Sequence, residues 1–314
     1  MKFLIIDSNA LLHRSFHALP PLMDKLGNQT GAVYGYLLTL FKAINDIGPE
    51  FIAATFDTPS PTFRHKKFKE YKAKREKAPD EFYEQIPKTK EILSAFSVPV
   101  FEKEGFEADD VIATIAKKIP KQQIYPELEV YILTGDLDTL QLVNKKTKVY
   151  TLGRGIKEAV IYDKKKILER FGLLPGQMVD YKALAGDASD NIPGATGIGE
   201  KTAISLLKKY KDLETLYQVL EQKETKEDIK PRIKKILLEQ KDQVFFSRLL
   251  AQTRKDAPID FKIKNCKFGD FDKKTLKEAL EKYGFYSLVK RIPGENNKQD
   301  NVLVEKKDRN GKLF

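Results

Sequence analysis

The sequence predicts an α/β fold: a mainly parallel sheet flanked by helices, followed by an all-helical second domain. In the first half, short apolar runs alternate with helix-period patterns, the signature of a parallel sheet with helices on its faces. After Gly172 the strand signal fades and short amphipathic helices follow one another. The 314 residues hold one large domain or two modest ones with ample core. The strands read as Phe3–Ile6, Phe51–Phe56, Val98–Phe101, Val130–Leu133 and a fifth near Lys148–Thr151. Helical periodicity covers Gly31–Ile47, Asp80–Phe96 and Ala108–Ile119. The second domain, about 172–292, reads as helices at Pro175–Ala185, Glu200–Tyr210, Leu213–Gln222, Ile229–Leu250 and Lys274–Tyr283. The tail from Pro293 to Phe314 is polar, with too little apolar surface to fold alone.

Composition narrows the function classes. The 56 Lys and Arg residues against 45 Asp and Glu give a net charge of +11, which suits a polyanionic partner. With Cys266 as the only cysteine, no internal disulfide forms, and a cytoplasmic setting is expected. The start, MKFLIIDS, has four consecutive apolar residues before Asp7, short of a signal sequence, and no run approaches a membrane span. The three histidines, His13, His17 and His65, lack the company of a zinc site.

The strands run into acid. Phe3–Ile6 leads to Asp7, Phe51–Phe56 to Asp57, Val98–Phe101 through a loop to Glu107, Asp109 and Asp110, and Val130–Leu133 to Asp136 and Asp138. In open α/β sheets ligands bind at the carboxyl ends of the strands, so these side chains should converge. Taken singly, each has a plainer reading: EADD as acid at the positive end of a helix, a strand-terminal aspartate as an N-cap. Together they are harder to dismiss. Two carboxylates about 4 Å apart repel by roughly 4 kcal/mol at an effective dielectric near 20, so such a cluster needs cations. An all-oxygen set without histidine selects Mg²⁺ or Mn²⁺, and two such ions can drive phosphodiester hydrolysis.

The stretch GDASDNIPGATGIGEKTA adds Asp187 and Asp190. It is not a P-loop, because Glu200 separates Gly199 from Lys201, and it is not a dinucleotide fingerprint, because Thr202 stands where a third glycine belongs. Its glycines and the helix starting near Lys201 can still bind a phosphate, and a DNA backbone supplies one. Upstream, PTFRHKKFKEYKAKREK carries eight Lys and Arg against two acids, interleaved with Phe63, Phe68 and Tyr71. A solvated surface helix has that charge, but so does a single-strand nucleic-acid contact. With little apolar partner surface, Pro61–Lys77 is expected to be mobile without DNA.

The motifs FLIIDSNALLHRSFHAL, QTGAVYGYL, FDTPSPTFRHKKFKEYKAKR, EGFEADDVIATIA, LTGDLDTLQLV and KALAGDASDNIPGATGIGEKTA resemble, in order, those of the 5′-nuclease (flap endonuclease) family, above all the N-terminal 5′→3′ exonuclease domain of bacterial DNA polymerase I. The resemblance covers about residues 1–292. It implies a PIN-like nuclease core over 1–171 with a helical arch over about 59–87, then a helix-hairpin-helix (H3TH) DNA-binding domain over 172–292. It implies one metal site at Asp7, Asp57, Glu107, Asp109 and Asp110, and another at Asp136, Asp138, Asp187 and Asp190. Two Mg²⁺ or Mn²⁺ ions are implied there, and a K⁺ ion at the hairpin turn. Lys72 and Arg75 match catalytic helpers on the scissile phosphate. Arg64, Tyr71, Lys72 and Arg75 are expected to contact the scissile phosphate and the 5′ strand, Arg14 to bind DNA, and Gly194, Gly197, Gly199, Lys201 and Thr202 to hold the duplex backbone. Leu137 and Lys66 depart from the common pattern but remove no ligand.

The implied activity is 5′→3′ exonuclease and flap endonuclease on DNA with a 5′ flap, nick or free 5′ end, RNA-primed ends included, in replication and repair. A monomer in a bacterial cytoplasm, with a polymerase linked covalently or in trans, is the implied setting. The rivals are a non-catalytic structure-specific DNA-binding protein, which would have lost ligands, and a PIN-type ribonuclease, which would not need the hairpin and long basic arch.

Overall fold

The structure, a computed structural model, describes residues 1–119, 125–153, 158–222 and 229–293. All but the first residue of the expected polar tail lies outside the described residues. Six strands form one sheet: β1 (Lys2–Asp7), β2 (Phe51–Thr55), β3 (Val100–Phe101), β4 (Glu129–Leu133), β5 (Thr147–Leu152) and β6 (Ala159–Tyr162). Their order is β3-β2-β1-β4-β5-β6, parallel from β3 to β5, with β6 antiparallel at the edge.

The apolar strands are buried on both faces, as parallel strands under helices must be. In β1, Phe3 and Ile5 pack into one core while Leu4 and Ile6 pack into the other, the two-residue alternation of a pleated strand. The sequence missed β6, whose short, half-exposed edge gives only a weak alternation, and the helices Ser8–Ala18 and Lys164–Phe171.

Helix Gly31–Ile47 has the expected bounds and stops at Gly48, whose φ of 63° closes the last turn in the left-handed region. The expected Asp80–Phe96 helix is two pieces, Asp80–Tyr83 and Gln85–Ala95. Pro87 sits in the first turn of the second piece, where its missing N–H costs nothing. Ile229–Leu250 likewise divides into Pro231–Glu239 and Lys241–Ala251. Between them Gln240 leaves helical geometry, and its side chain holds both Thr196 N (2.7 Å) and Thr196 O (3.1 Å). Among the described residues no strand follows β6, and no helix is long and apolar enough to cross a membrane.

The chain runs from β1 outward to β3, then returns to place β4 on β1's other side. Helix Ala108–Lys118 makes this return, so its N-terminus lies where the strand order reverses.

Candidate metal centre

At that reversal the acids gather. Asp7, the last residue of β1, Asp57 just beyond β2, Glu107 and Asp109 at the start of helix Ala108–Lys118, Asp136 just beyond β4, and Asp190 all line one cavity of about 580 Å³. The plain N-cap readings hold as well. Asp7 accepts from Ala10 N (3.1 Å), and Asp136 caps the turn Leu137–Leu142 through Asp138 N (2.8 Å). Capping and convergence are compatible, because a helix N-terminus steadies the negative charge it faces. Thr134 donates to Asp7 Oδ2 (2.6 Å), and Asn9 Oδ1 accepts from Asp57 N (2.9 Å); both orient cluster acids, and the sequence reading missed both.

A second grouping overlaps the first. Carboxylate oxygens of Asp138, Asp187 and Asp190 lie within 4.8 Å of one another. Asp187 and Asp190 reach the sheet edge from the loop after helix Met178–Ala185, pinned by the Asp187–Ile192 bridge (2.9 and 2.8 Å). Lys182, on that helix, pairs with both Asp138 and Asp187, the latter at 2.5 Å. The sequence reading missed it; its place five residues before Asp187 was the available signal.

The electrostatics follow from crowding. Burial, with Asp57 and Asp136 adding repulsion, pushes the Asp7 carboxyl up to about 7. Burial and then the charges of Asp7, Asp136 and Asp138 hold Asp109 well above the usual range. Burial and Asp136 raise Asp138 to about 6 against the pull of Lys182. At Asp187 burial also pushes upward, but the Lys182 ammonium and the Ser189 hydrogen bonds win and hold the carboxyl down to about 2. Glu107 Oε1 is buried without a hydrogen-bond partner. An orphaned carboxylate oxygen within an all-oxygen, acid-strained donor set fits hard divalent ions.

Asp110 corrects the expected ligand set. It is fully buried, and its two oxygens accept from Arg64 Nη1 (2.8 Å), Arg64 Nη2 (2.9 Å), Arg254 N (2.7 Å) and Glu107 N (3.1 Å). Four donors fill a carboxylate's acceptor positions, which leaves none for a metal. Arg64 is corrected with it. At 2% exposure, with Nε and Nη2 also on the carbonyls of Leu250 (2.8 Å) and Gln252 (2.9 Å), it is an internal counter-ion and does not face a 5′ strand.

The basic segment is also better anchored than its composition suggests. It contains helix Phe63–Lys67, then turns. Tyr71, 3% exposed, packs with Ile192, Leu250 and Ala251 and donates to Asp190 Oδ2 (3.0 Å) and Glu107 Oε2 (3.2 Å), so it is buried and not presented to DNA. Lys72 Nζ binds Glu107 Oε2 (3.0 Å), and Arg75 pairs with Asp190; both side chains line the cavity. The expectation that Pro61–Lys77 lacks apolar partners is therefore corrected: a tyrosine supplied by the segment itself plugs it onto the helical domain.

Arg14 lines the cavity rim, with its guanidinium on the carbonyls of Leu152 (2.9 Å) and Gly153 (2.5 Å). In the hairpin, Gly194 is buried, donates to Ser247 Oγ (3.1 Å) and accepts from Gln243 Nε2 (2.6 Å). Its role is internal, which corrects its place among the DNA contacts. Gly197, Gly199 and Lys201 are exposed and Thr202 is half-buried, at the N-terminus of helix Glu200–Tyr210.

Comparison with known proteins agrees with this geometry. Residues 2–172 match the family described as 5′-3′ exonuclease, N-terminal resolvase-like domain, and residues 173–274 match 5′-3′ exonuclease, C-terminal SAM fold. The chain is 37% identical over 288 residues to a 5′-3′ exonuclease of Aquifex aeolicus, covering 92% of this chain and 94% of that one. It is 38% identical over 307 residues to DNA polymerase I of Bacillus subtilis, covering 97% of this chain and 34% of that one. The chain thus spans about a third of the polymerase relatives' length. The fold is shared with T5 5′-exonuclease bound to zinc (TM-score 0.66, 21% identity, 90% and 99% covered) and with the catalytic core of Rad2 in complex with DNA substrate (TM-score 0.58, 20% identity, 93% of each covered).

Proposed function

The chain belongs to the 5′-3′ exonuclease family, and on that premise we propose that its acidic cleft hydrolyses DNA phosphodiesters at 5′ ends, nicks and 5′ flaps, in replication and repair, using two Mg²⁺ ions. One observation carries the reading: Asp7, Asp57, Glu107, Asp109, Asp136 and Asp190 come from five separate segments to one cavity at the carboxyl edge of the sheet. Asp7, Asp57, Glu107 and Asp109 would hold one ion, and Asp136, Asp138, Asp187 and Asp190 the other. Such ions supply Lewis-acid stabilisation of the phosphate and a water of lowered pKa.

The rest of the work falls to the chain. Lys72 and Arg75, now on Glu107 and Asp190, would turn to the scissile phosphate and stabilise the charge that builds on it. In this reading 1–171 carries most of the chemistry, joined by Asp187 and Asp190 from 172–292, and the rest of 172–292 binds the duplex. There Gly197, Gly199, Lys201 and Thr202 would grip duplex backbone at a helix N-terminus, with K⁺ at the turn. The protein would act in the cytoplasm as a monomer, on RNA-primed ends as well, with a DNA polymerase linked in cis or in trans.

The test is a 5′-labelled double-flap substrate with and without Mg²⁺, using wild type and Asp138→Asn. Cleavage near the flap base by wild type only, and only with Mg²⁺, is expected. Binding without cleavage by the wild type in Mg²⁺ would sink the reading.

A further inference from the structure

Outside the metal cleft, a groove of about 550 Å³ runs between helix Phe63–Lys67, helix Lys241–Ala251 and the turn after it. Its wall carries Phe63, Lys67, Phe245, Leu249, Arg254 and Lys255. We infer that this groove is a stacking subsite for one or two nucleotides of a single-stranded 5′ flap beyond the cleavage point. The inference rests on the nuclease reading.

The centre of the groove is Arg254. Its guanidinium lies 5.3 Å from the Phe63 ring centroid and 4.9 Å from that of Phe106. Asp256 grips it edge-on, at 2.9 Å to Nε and 2.7 Å to Nη2, so the plane is fixed while the side chain stays 41% exposed. A flat cation held in one orientation over aromatic rings is a platform for a base of any sequence. The carboxylate that fixes it is spent on it, and the groove's Arg248 is taken up by acids outside the groove, Asp180 (2.9 Å) and Glu214. The charges left over are positive: Lys67, from helix Phe63–Lys67, and Lys255, from the turn after helix Lys241–Ala251, are exposed and line the groove, where they could meet phosphates of a bound strand. Phe245 and the 39%-exposed Leu249 supply apolar floor that water solvates poorly.

Position favours the strand over a protein occupant. The groove is tied to the cleft through one buried carboxylate, Asp110, next to the cavity-lining Asp109: Phe63 is followed by Arg64, which binds it, and Arg254 N binds it too (2.7 Å). A strand leaving the cleft on that side would meet the groove next.

The test compares substrates with a one-nucleotide flap and a flap of about ten nucleotides, enough to fill such a groove. Affinity is read by anisotropy in Ca²⁺, for wild type and for the surface variants Lys255→Glu and Lys67→Glu, with Arg254→Gln as a third that removes the platform. We expect long-flap affinity to fall at least about fivefold in each, with one-nucleotide-flap affinity and cleavage unchanged. Equal long-flap affinity in wild type and variants overturns the subsite. So does an equal loss for both flaps, which would make the groove part of the duplex face. A wild type that cleaves neither flap in Mg²⁺, yet binds both, overturns the nuclease reading instead.

Discussion

Lys182→Met should make the protein less stable without metal and a tighter binder of Mg²⁺. The Lys182 ammonium, 16% exposed, touches Asp138 and lies 2.5 Å from Asp187. It neutralises two carboxylates that a divalent ion would also claim. Breaking a buried pair by deleting one partner costs about 3–5 kcal/mol. Asp138 already sits near 6 and takes up a proton at little further cost, so we expect about 2–3 kcal/mol here, roughly 3–5 °C in Tm for a protein of this size. In Mg²⁺ the ion has no ammonium to displace, and its affinity should rise about tenfold, or about 1.4 kcal/mol. Thermal denaturation in EDTA and in Mg²⁺, with calorimetric Mg²⁺ titration, reads both effects. The expected pattern is a Tm loss in EDTA that Mg²⁺ restores. An equal loss in both conditions, or weaker Mg²⁺ binding, would show that Lys182 supports the fold or orients ligands and does not stand in for a cation.

Three further outcomes follow from the same geometry. Arg64→Met should cost about 3–5 kcal/mol in denaturant unfolding, because it strands the fully buried Asp110; wild-type stability with a DNA-binding salt slope shallower by about one would return Arg64 to the DNA contacts. Gly194→Ala should destabilise strongly, since φ is +61° and a Cβ would lie 2.7 Å from Gly186 Cα, whereas Gly199→Ala meets nothing within 4 Å and should leave Tm nearly unchanged; similar Tm values for both would refute the packing. Asp7 is raised to about 7 and Asp138 to about 6, so the folded chain holds these protons more tightly than the unfolded chain. Their stabilisation is full below the ordinary carboxylate range and is lost as pH rises through about 6–7. In EDTA, Tm should therefore fall from about pH 5 to about pH 8, and saturating Mg²⁺ should flatten the decline; an equal slope with metal would place its origin elsewhere, for instance at Asp180, which burial also raises to about 6.

The sequence by itself determined the sheet, its parallel sense, the helical second half and the acids of the cleft. These are properties of local pattern: an apolar run bounded by an acid is legible one strand at a time, and strand-end aspartates converge because parallel strands point the same way. What it could not tell is which charges meet each other. Asp109 and Asp110 are neighbours in the chain, yet one faces the cavity while the other turns inward to Arg64, 46 residues upstream, and to the backbone of Arg254, 144 residues downstream. Tyr71 read as a DNA contact and is buried against Leu250; Gly194 read as phosphate-binding and is packed on Gly186. Lys182 went unnoticed because a lysine on an ordinary helix carries no local mark. Whether a charged side chain faces solvent, a partner or a ligand depends on distances set between elements far apart in sequence. Only the packed tertiary structure, where burial makes an unpaired charge costly, decides that.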